Sequence, residues 1–199
     1  MSIQVFHDLV GEKFQQFYSA SEQVGGLVSE QAQLVKKAFE WHISLLTVAA
    51  QSKKPSAVDF QEFLKPFAEL VNKIQRLRDS NRRNELFEHL SAVHEGITAF
   101  NWVAVTPAPA PFIKEMADIS QFWINKVLVA FKNKDPNHVA WGKVWIELLQ
   151  ELQQWVCLFL SVQTKTTPDF EDLTFDFCIS GFKSKNLLDC FIENHFSVD

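Results

Sequence analysis

Apolar residues recur at steps of three and four through six stretches of this chain. That period confines it to amphipathic α-helices, each with one face that must be covered by another helix. The first stretch carries Phe6, Leu9, Val10, Phe14 and Phe17 and breaks at Gly25-Gly26. The second, about seven turns long, runs through Leu34, Val35, Ala38, Phe39, His42, Leu45, Leu46 and Ala49 to Lys53-Lys54-Pro55. In the third, Asp59 stands as a cap ahead of Phe60, Phe63, Leu64, Phe67, Leu70, Val71, Ile74 and Leu77. Pro66 lies inside it and predicts a kink or restart near Lys65, because proline lacks the N–H and crowds the preceding turn. The fourth holds Leu86, Leu90, Val93, Ile97 and Phe100, weakened by Gly96.

Thr106 to Pro111 has prolines at alternate positions and predicts an extended connector outside any helix. The fifth helix follows with Ile113, Met116, Ile119, Trp123, Val127 and Phe131, and Asp135-Pro136 separates it from a sixth through Trp141, Trp145, Leu148, Leu152, Trp155 and Phe159. Short connectors make sequence neighbours antiparallel neighbours in space. The expected fold is all-α: an antiparallel six-helix bundle over residues 1–167. The load of 19 Phe and 6 Trp is assigned to its interior, where such rings fill helix interfaces.

Beyond Pro168 the period changes. Leu173, Phe175, Phe177 and Ile179 alternate with polar residues as in a strand, and Leu187, Leu188, Phe191 and Ile192 hint at a short helix. Such a strand can dock on the bundle, pair with another molecule or stay loosely ordered; weak order is expected of this short appendage, residues 168–199. It holds seven acidic residues (Asp169, Glu171, Asp172, Asp176, Asp189, Glu193, Asp199) against Lys183 and Lys185, which accounts for the whole net charge of −5. The first 167 residues are therefore neutral, without the basic field of a nucleic-acid binder, and the expected partners are proteins.

No apolar run approaches the roughly 20 residues of a membrane span. The first residues lack a signal-peptide pattern, so a cytoplasmic location is expected. Cys157, Cys178 and Cys190 have no metal-binding spacing and are expected as reduced, mostly buried thiols. Phosphate-loop, dinucleotide, esterase, zincin and calcium-loop motifs are absent, so no enzyme, cofactor or metal is expected. His89 and His94 are about 140° apart on a helix and cannot share a metal, while Glu85 and His89 read as an exposed i,i+4 pair. Ser91 and His94 lack an orienting carboxylate for nucleophilic work. Lys73, Arg76, Arg78, Arg82 and Arg83 form the densest basic cluster. It reads either as a solvated helix C-terminus or as a docking patch for an acidic protein surface.

From that cluster onward, Arg78-Asp79-Ser80-Asn81-Arg82, Phe87-Glu88-His89-Leu90-Ser91-Ala92-Val93, Trp102-Val103-Ala104-Val105-Thr106-Pro107-Ala108-Pro109-Ala110-Pro111 and Lys114-Glu115-Met116 follow one another without a gap. Together with Leu64-Lys65-Pro66, Asn125-Lys126-Val127-Leu128 and His138-Val139-Ala140-Trp141, this resembles the N-terminal helical domain of adenylyl cyclase-associated proteins, over residues 3 to 160. The resemblance implies a six-helix bundle and a regulator of actin filament turnover in the actin cytoskeleton, one that docks on cofilin-decorated actin and promotes disassembly. It implies Arg78, Asn81, Arg82, His89, Ser91 and Lys114 as the polar positions facing actin and cofilin, supported by Trp102, Val105, Pro107, Pro109 and Pro111. A signalling scaffold for adenylyl cyclase or a Ras-pathway partner, or a competitor of a longer family member, are the other readings. Ser80 stands where the family turn commonly has a basic residue, with Arg83 nearby. The family's coiled coil, profilin-binding linker and C-terminal β domain have no counterpart in these 199 residues, so oligomerisation, cyclase regulation, profilin binding and nucleotide exchange are not carried over.

Overall fold

The computed structural model describes residues 3–49 and 56–163, so the expected appendage and Cys178 and Cys190 lie outside the described residues. Six α-helices follow in order: α1 (Ile3–Val24), α2 (Gly26–Ala49), α3 (Ala57–Ser80), α4 (Phe87–Ile97), α5 (Pro109–Phe131) and α6 (Pro136–Gln163). A 3-10 segment, Thr98–Ala104, extends α4. Phe100, assigned by period to the fourth helix, lies in this tighter segment.

The helices close into a ring in chain order, with α6 packed against α1 to complete it and α2 also touching α4. Ring contacts give the directions. Phe6 and Phe14 of α1 both meet Phe39, while Phe17 meets Trp145 and Phe6 meets Trp155, so α1 runs antiparallel to α6. Phe87 meets Trp123, and Ser120 bonds Ala92, so α4 and α5 are antiparallel too. The ring interior is aromatic, with Trp102, Trp141, Trp145, Trp155, Phe6, Phe14, Phe17 and Phe100 all buried. Phe122 is the exception, 56% exposed, with Lys126 Nζ 4.6 Å from its ring centroid.

Two buried serines serve the tryptophans that close the ring. Ser21 Oγ donates to Phe17 O and accepts from Trp141 Nε1, joining α1 to α6. Ser120 Oγ donates to Ala92 O and accepts from Trp145 Nε1, joining α4, α5 and α6. Gly96 lets the same helices approach: a Cβ there would stand 2.8 Å from Trp145 Cζ2 and 2.9 Å from Leu149 Cδ1. Its cost to helix propensity is thus set against close packing of α4 on α6.

Four local expectations are corrected. Ser56, not Asp59, is the N-cap of α3; its Oγ accepts from the Asp59 backbone N–H and donates to Asp59 Oδ2. Through Pro66 α3 runs without restarting, the proline facing solvent where its missing bond is least costly. Pro109 and Pro111 do not extend the connector but open α5, since first-turn N–H groups have no helical partner and proline's fixed φ suits that turn. Only the stretch through Pro107, whose peptide bond with Thr106 is cis, stays outside. Cys157 is exposed rather than buried.

The break between α1 and α2 is as expected. Gly25 and Gly26 have φ of +75° and +54°, a conformation that glycine adopts without the Cβ clash other residues meet. Leu86, in the turn after α3, sits 3.6 Å from where a Gly26 Cβ would be. The α1–α2 junction and the turn into α4 therefore share one end of the bundle.

Candidate functional site

The end of α3 and the turn after it form a held arrangement. Arg78 is only 17% exposed in its side chain. Its Nε and Nη2 donate to Asp79 Oδ1 at 3.2 and 3.1 Å, and its Nη1 donates to Glu95 Oε1 at 3.2 Å. The same Nη1 lies 2.8 Å from His94 Nδ1. A guanidinium can only donate, so Nδ1 accepts and the His94 proton resides on Nε2. Burial first, then the Arg78 charge, lowers the His94 pKa against the opposing pull of Glu95 and Asp79, and favours that neutral ring. Burial raises the Asp79 pKa, but bonds and charge from Arg78, then Arg82, outweigh it and hold the carboxyl below its usual range.

Asn81 ends the helix: its Nδ2 donates to Leu77 O at 2.7 Å and its backbone N–H to Arg78 O at 3.0 Å. Both satisfy terminal carbonyls that a helix end leaves open. Arg82 is different, 69% exposed and touching Asp79 Oδ1 with Nη2 at 3.2 Å. Lys73, Arg76 and Arg83 are exposed and have no ion pair among the described residues. Lys114, near the start of α5, is exposed and pairs with Asp118 one turn on.

His89 and Ser91 are not on this surface. Both are fully buried in α4, which corrects the expectation that they face a partner and that His89 forms an exposed pair with Glu85. His89 Nε2 lies 2.9 Å from His138 Nδ1 of α6, and Phe131 stacks on the His138 ring at 3.9 Å. Burial, then the neighbouring His138, lowers the His89 pKa to about 3. His138 Nε2 faces Asp135 Oδ2 at 3.8 Å, beyond hydrogen-bond distance. One of the two rings donates to the other across the His89 Nε2–His138 Nδ1 contact, and the buried His89 Nδ1 has no partner. Ser91 Oγ is likewise buried without a partner.

Among the expected supporting residues, Trp102 is buried and donates from Nε1 to His42 Nε2 at 3.2 Å. Its ring contacts are with His42, Trp155 and Phe159, in the core rather than at the basic turn. Val105 is half-buried, Pro109 buried, and Pro107 and Pro111 exposed. Sequence reasoning missed the roles of His94, Glu95 and His138. Only the proximity of His138 to Trp141 in the sequence signalled it, and nothing pointed to Glu95. Among the described residues no group of three or more His, Cys, Asp or Glu could hold a metal, and no helix is long and apolar enough to cross a membrane.

Residues 6–160 match the family described as CAP, N-terminal domain. The chain belongs to the cyclase-associated protein (CAP) family. It is 34% identical over 175 residues to adenylyl cyclase-associated protein 1 of Macaca fascicularis, covering 86% of this chain and 37% of that protein. To adenylyl cyclase-associated protein 2 of Homo sapiens it is 37% identical over 155 residues, covering 78% and 32%. The chain thus spans about a third of the length of these curated relatives.

The solved N-terminal domain of CAP from Dictyostelium discoideum superposes with a TM-score of 0.74 at 32% identity, covering 78% of this chain and 88% of that one. A second solved N-terminal domain of CAP, described as indicating variable oligomerisation, matches with a TM-score of 0.74 at 31% identity over 77% and 83%. The six-helix bundle is therefore the fold of the CAP N-terminal domain.

Proposed function

We propose that this bundle is a protein-docking module of actin filament turnover, binding actin together with cofilin and promoting filament disassembly in the actin cytoskeleton. Family membership supports an actin-directed role. The observation that carries the choice of surface is the exposed basic edge at the end of α3, where Arg82 projects from a turn fixed beneath it by Arg78, Asp79 and Asn81. Arginine forks on a rigid support suit carboxylates of a protein partner.

Burial divides the work among the expected residues. Arg82, with Arg76 and Arg83, contacts the partner, and Lys114 extends the surface onto α5. Arg78 and Asn81 hold the turn, and His89 and Ser91 act only through α4. The test is filament depolymerisation followed by fluorescence microscopy with cofilin, comparing the native chain with Arg82→Glu. Acceleration by the native chain and its loss in the variant support the reading, whereas equal rates with and without the chain overturn it. The adenylyl cyclase in the relatives' names motivates a second reading, a scaffold for that enzyme. Recovery of a cyclase with the chain, unaffected by Arg82→Glu, would favour it.

A further inference from the structure

The basic end of α3 carries more positive charge than its own structure uses. Between residues 72 and 85 there are five basic residues and two acidic ones. Arg78 is neutralised by Glu95 and by Asp79, which also takes Arg82. Lys73, Arg76 and Arg83 are left exposed without an ion pair among the described residues. Beside them Asn72, Gln75, Arg76, Asp79 and Ser80 line a shallow polar depression. The helix dipole rewards positive charge only within the last turn, so it does not account for Lys73 and Arg76 further back.

The same chain carries the complementary charge. Residues 186–199 hold Asp189, Glu193 and Asp199 and no lysine or arginine. We propose that this acidic segment folds back onto the basic end of α3, its carboxylates meeting Lys73, Arg76, Arg82 and Arg83. This assigns the docking alternative to the appendage and names the surface that receives it.

Chain geometry permits the contact. Trp141 at the start of α6 is bonded to Ser21 near the end of α1, so α6 begins at the bundle end that also holds the α1–α2 junction and the turn after α3. Phe159, near the close of α6, packs on Trp102, and Trp155 on Phe6, so Gln163 lies at the opposite end. The axial distance to recross is about 42 Å, the length of 28 helical residues. From Gln163 to Asp189 there are 26 residues, which at about 3.3 Å each reach as far as about 85 Å. The carboxylates from Asp189 onward therefore reach the patch with slack. Tethering makes the encounter intramolecular, which raises the effective concentration of a weak acidic ligand well above that of a free one.

The inference does not depend on the actin reading, because its test contains this chain alone. Cys190 lies next to Asp189 in the sequence and takes a nitroxide in the full chain carrying Cys157→Ser and Cys178→Ser. The expected result is loss of most of the amide NMR intensity at residues 73–83 in low salt. Intensity returns at about 1 M salt, where the screening length falls to about 3 Å, and in Arg76→Gln/Arg83→Gln, whose exposed sites leave the fold intact. Undiminished amides at 73–83, loss that persists in the double variant, or loss seen only when label and isotope are on different copies would each overturn the proposal.

Discussion

Arg78 Nη1 lies 2.8 Å from Nδ1 of His94, so an arginine at the end of α3 is held by a neutral imidazole near the end of α4. With Glu95 sharing that Nη1 and Asp79 on Nε and Nη2, Arg78 joins two helices rather than reaching for a partner. Arg78→Ala strands Glu95 and the His94 lone pair in half-buried positions and should lower stability by about 1–3 kcal/mol. Arg82→Ala, at an exposed pair, should cost less than about 1 kcal/mol. Urea unfolding of the two variants distinguishes them, and equal midpoints would refute the division of roles.

Ser120 offers a second contrast between small size and large effect. Its hydroxyl accepts the Trp145 Nε1–H and donates to Ala92 O. Ser120→Ala leaves a buried indole N–H unpaired, for a loss of about 2 kcal/mol. Ser120→Thr keeps the hydroxyl and tests whether the bond or the volume matters. A Ser120→Ala chain as stable as the native one would show that Trp145 finds another acceptor.

These two sites show where the sequence stops being readable. The apolar period of α6 and its tryptophans are legible because every helix must bury one face, and Gly25-Gly26 marks a break because the chain there needs positive φ. Ser120 carries no periodic signal, since its importance arises from what α4 and α6 bring to it. The same holds for Glu95, which meets Arg78 only across the α3–α4 turn. His89 reads as exposed when judged against Glu85 on its own helix, and is buried because α6 supplies His138 on the other side. The prolines at 109 and 111 mislead for a different reason: residues that forbid a helix interior are favoured in its first turn.

Stability should fall as the pH is lowered from about 6.5 toward about 3. Burial lowers the pKa of His42 and His89 to about 3 each, so the unfolded chain takes up protons below its ordinary value of 6.5 while the folded chain does not. The stability these groups contribute is present above pH 6.5 and is lost progressively down to the folded value, at up to about 1.4 kcal/mol per pH unit for each ring. Asp79, whose pKa is also lowered, acts in the same direction only below the usual carboxylate range. Urea midpoints from pH 7 to 4.5 should decline, and the decline should be shallower in His89→Phe. A midpoint independent of pH over that range would contradict neutral burial.

Ser91 separates a contact residue from one that only lies near the contact. Its hydroxyl is buried and unpartnered, so the folded state already bears the cost of desolvating it. Ser91→Ala removes that cost without opening a sizeable cavity and should leave stability unchanged or raise it by about 1 kcal/mol. Because Ser91 cannot touch a partner from inside α4, the same variant should retain native disassembly activity with cofilin, while Arg82→Ala combined with Lys114→Ala should reduce it. Loss of activity in Ser91→Ala with undiminished stability would mean that α4 opens on binding and that the contact surface includes residues the free bundle keeps inside.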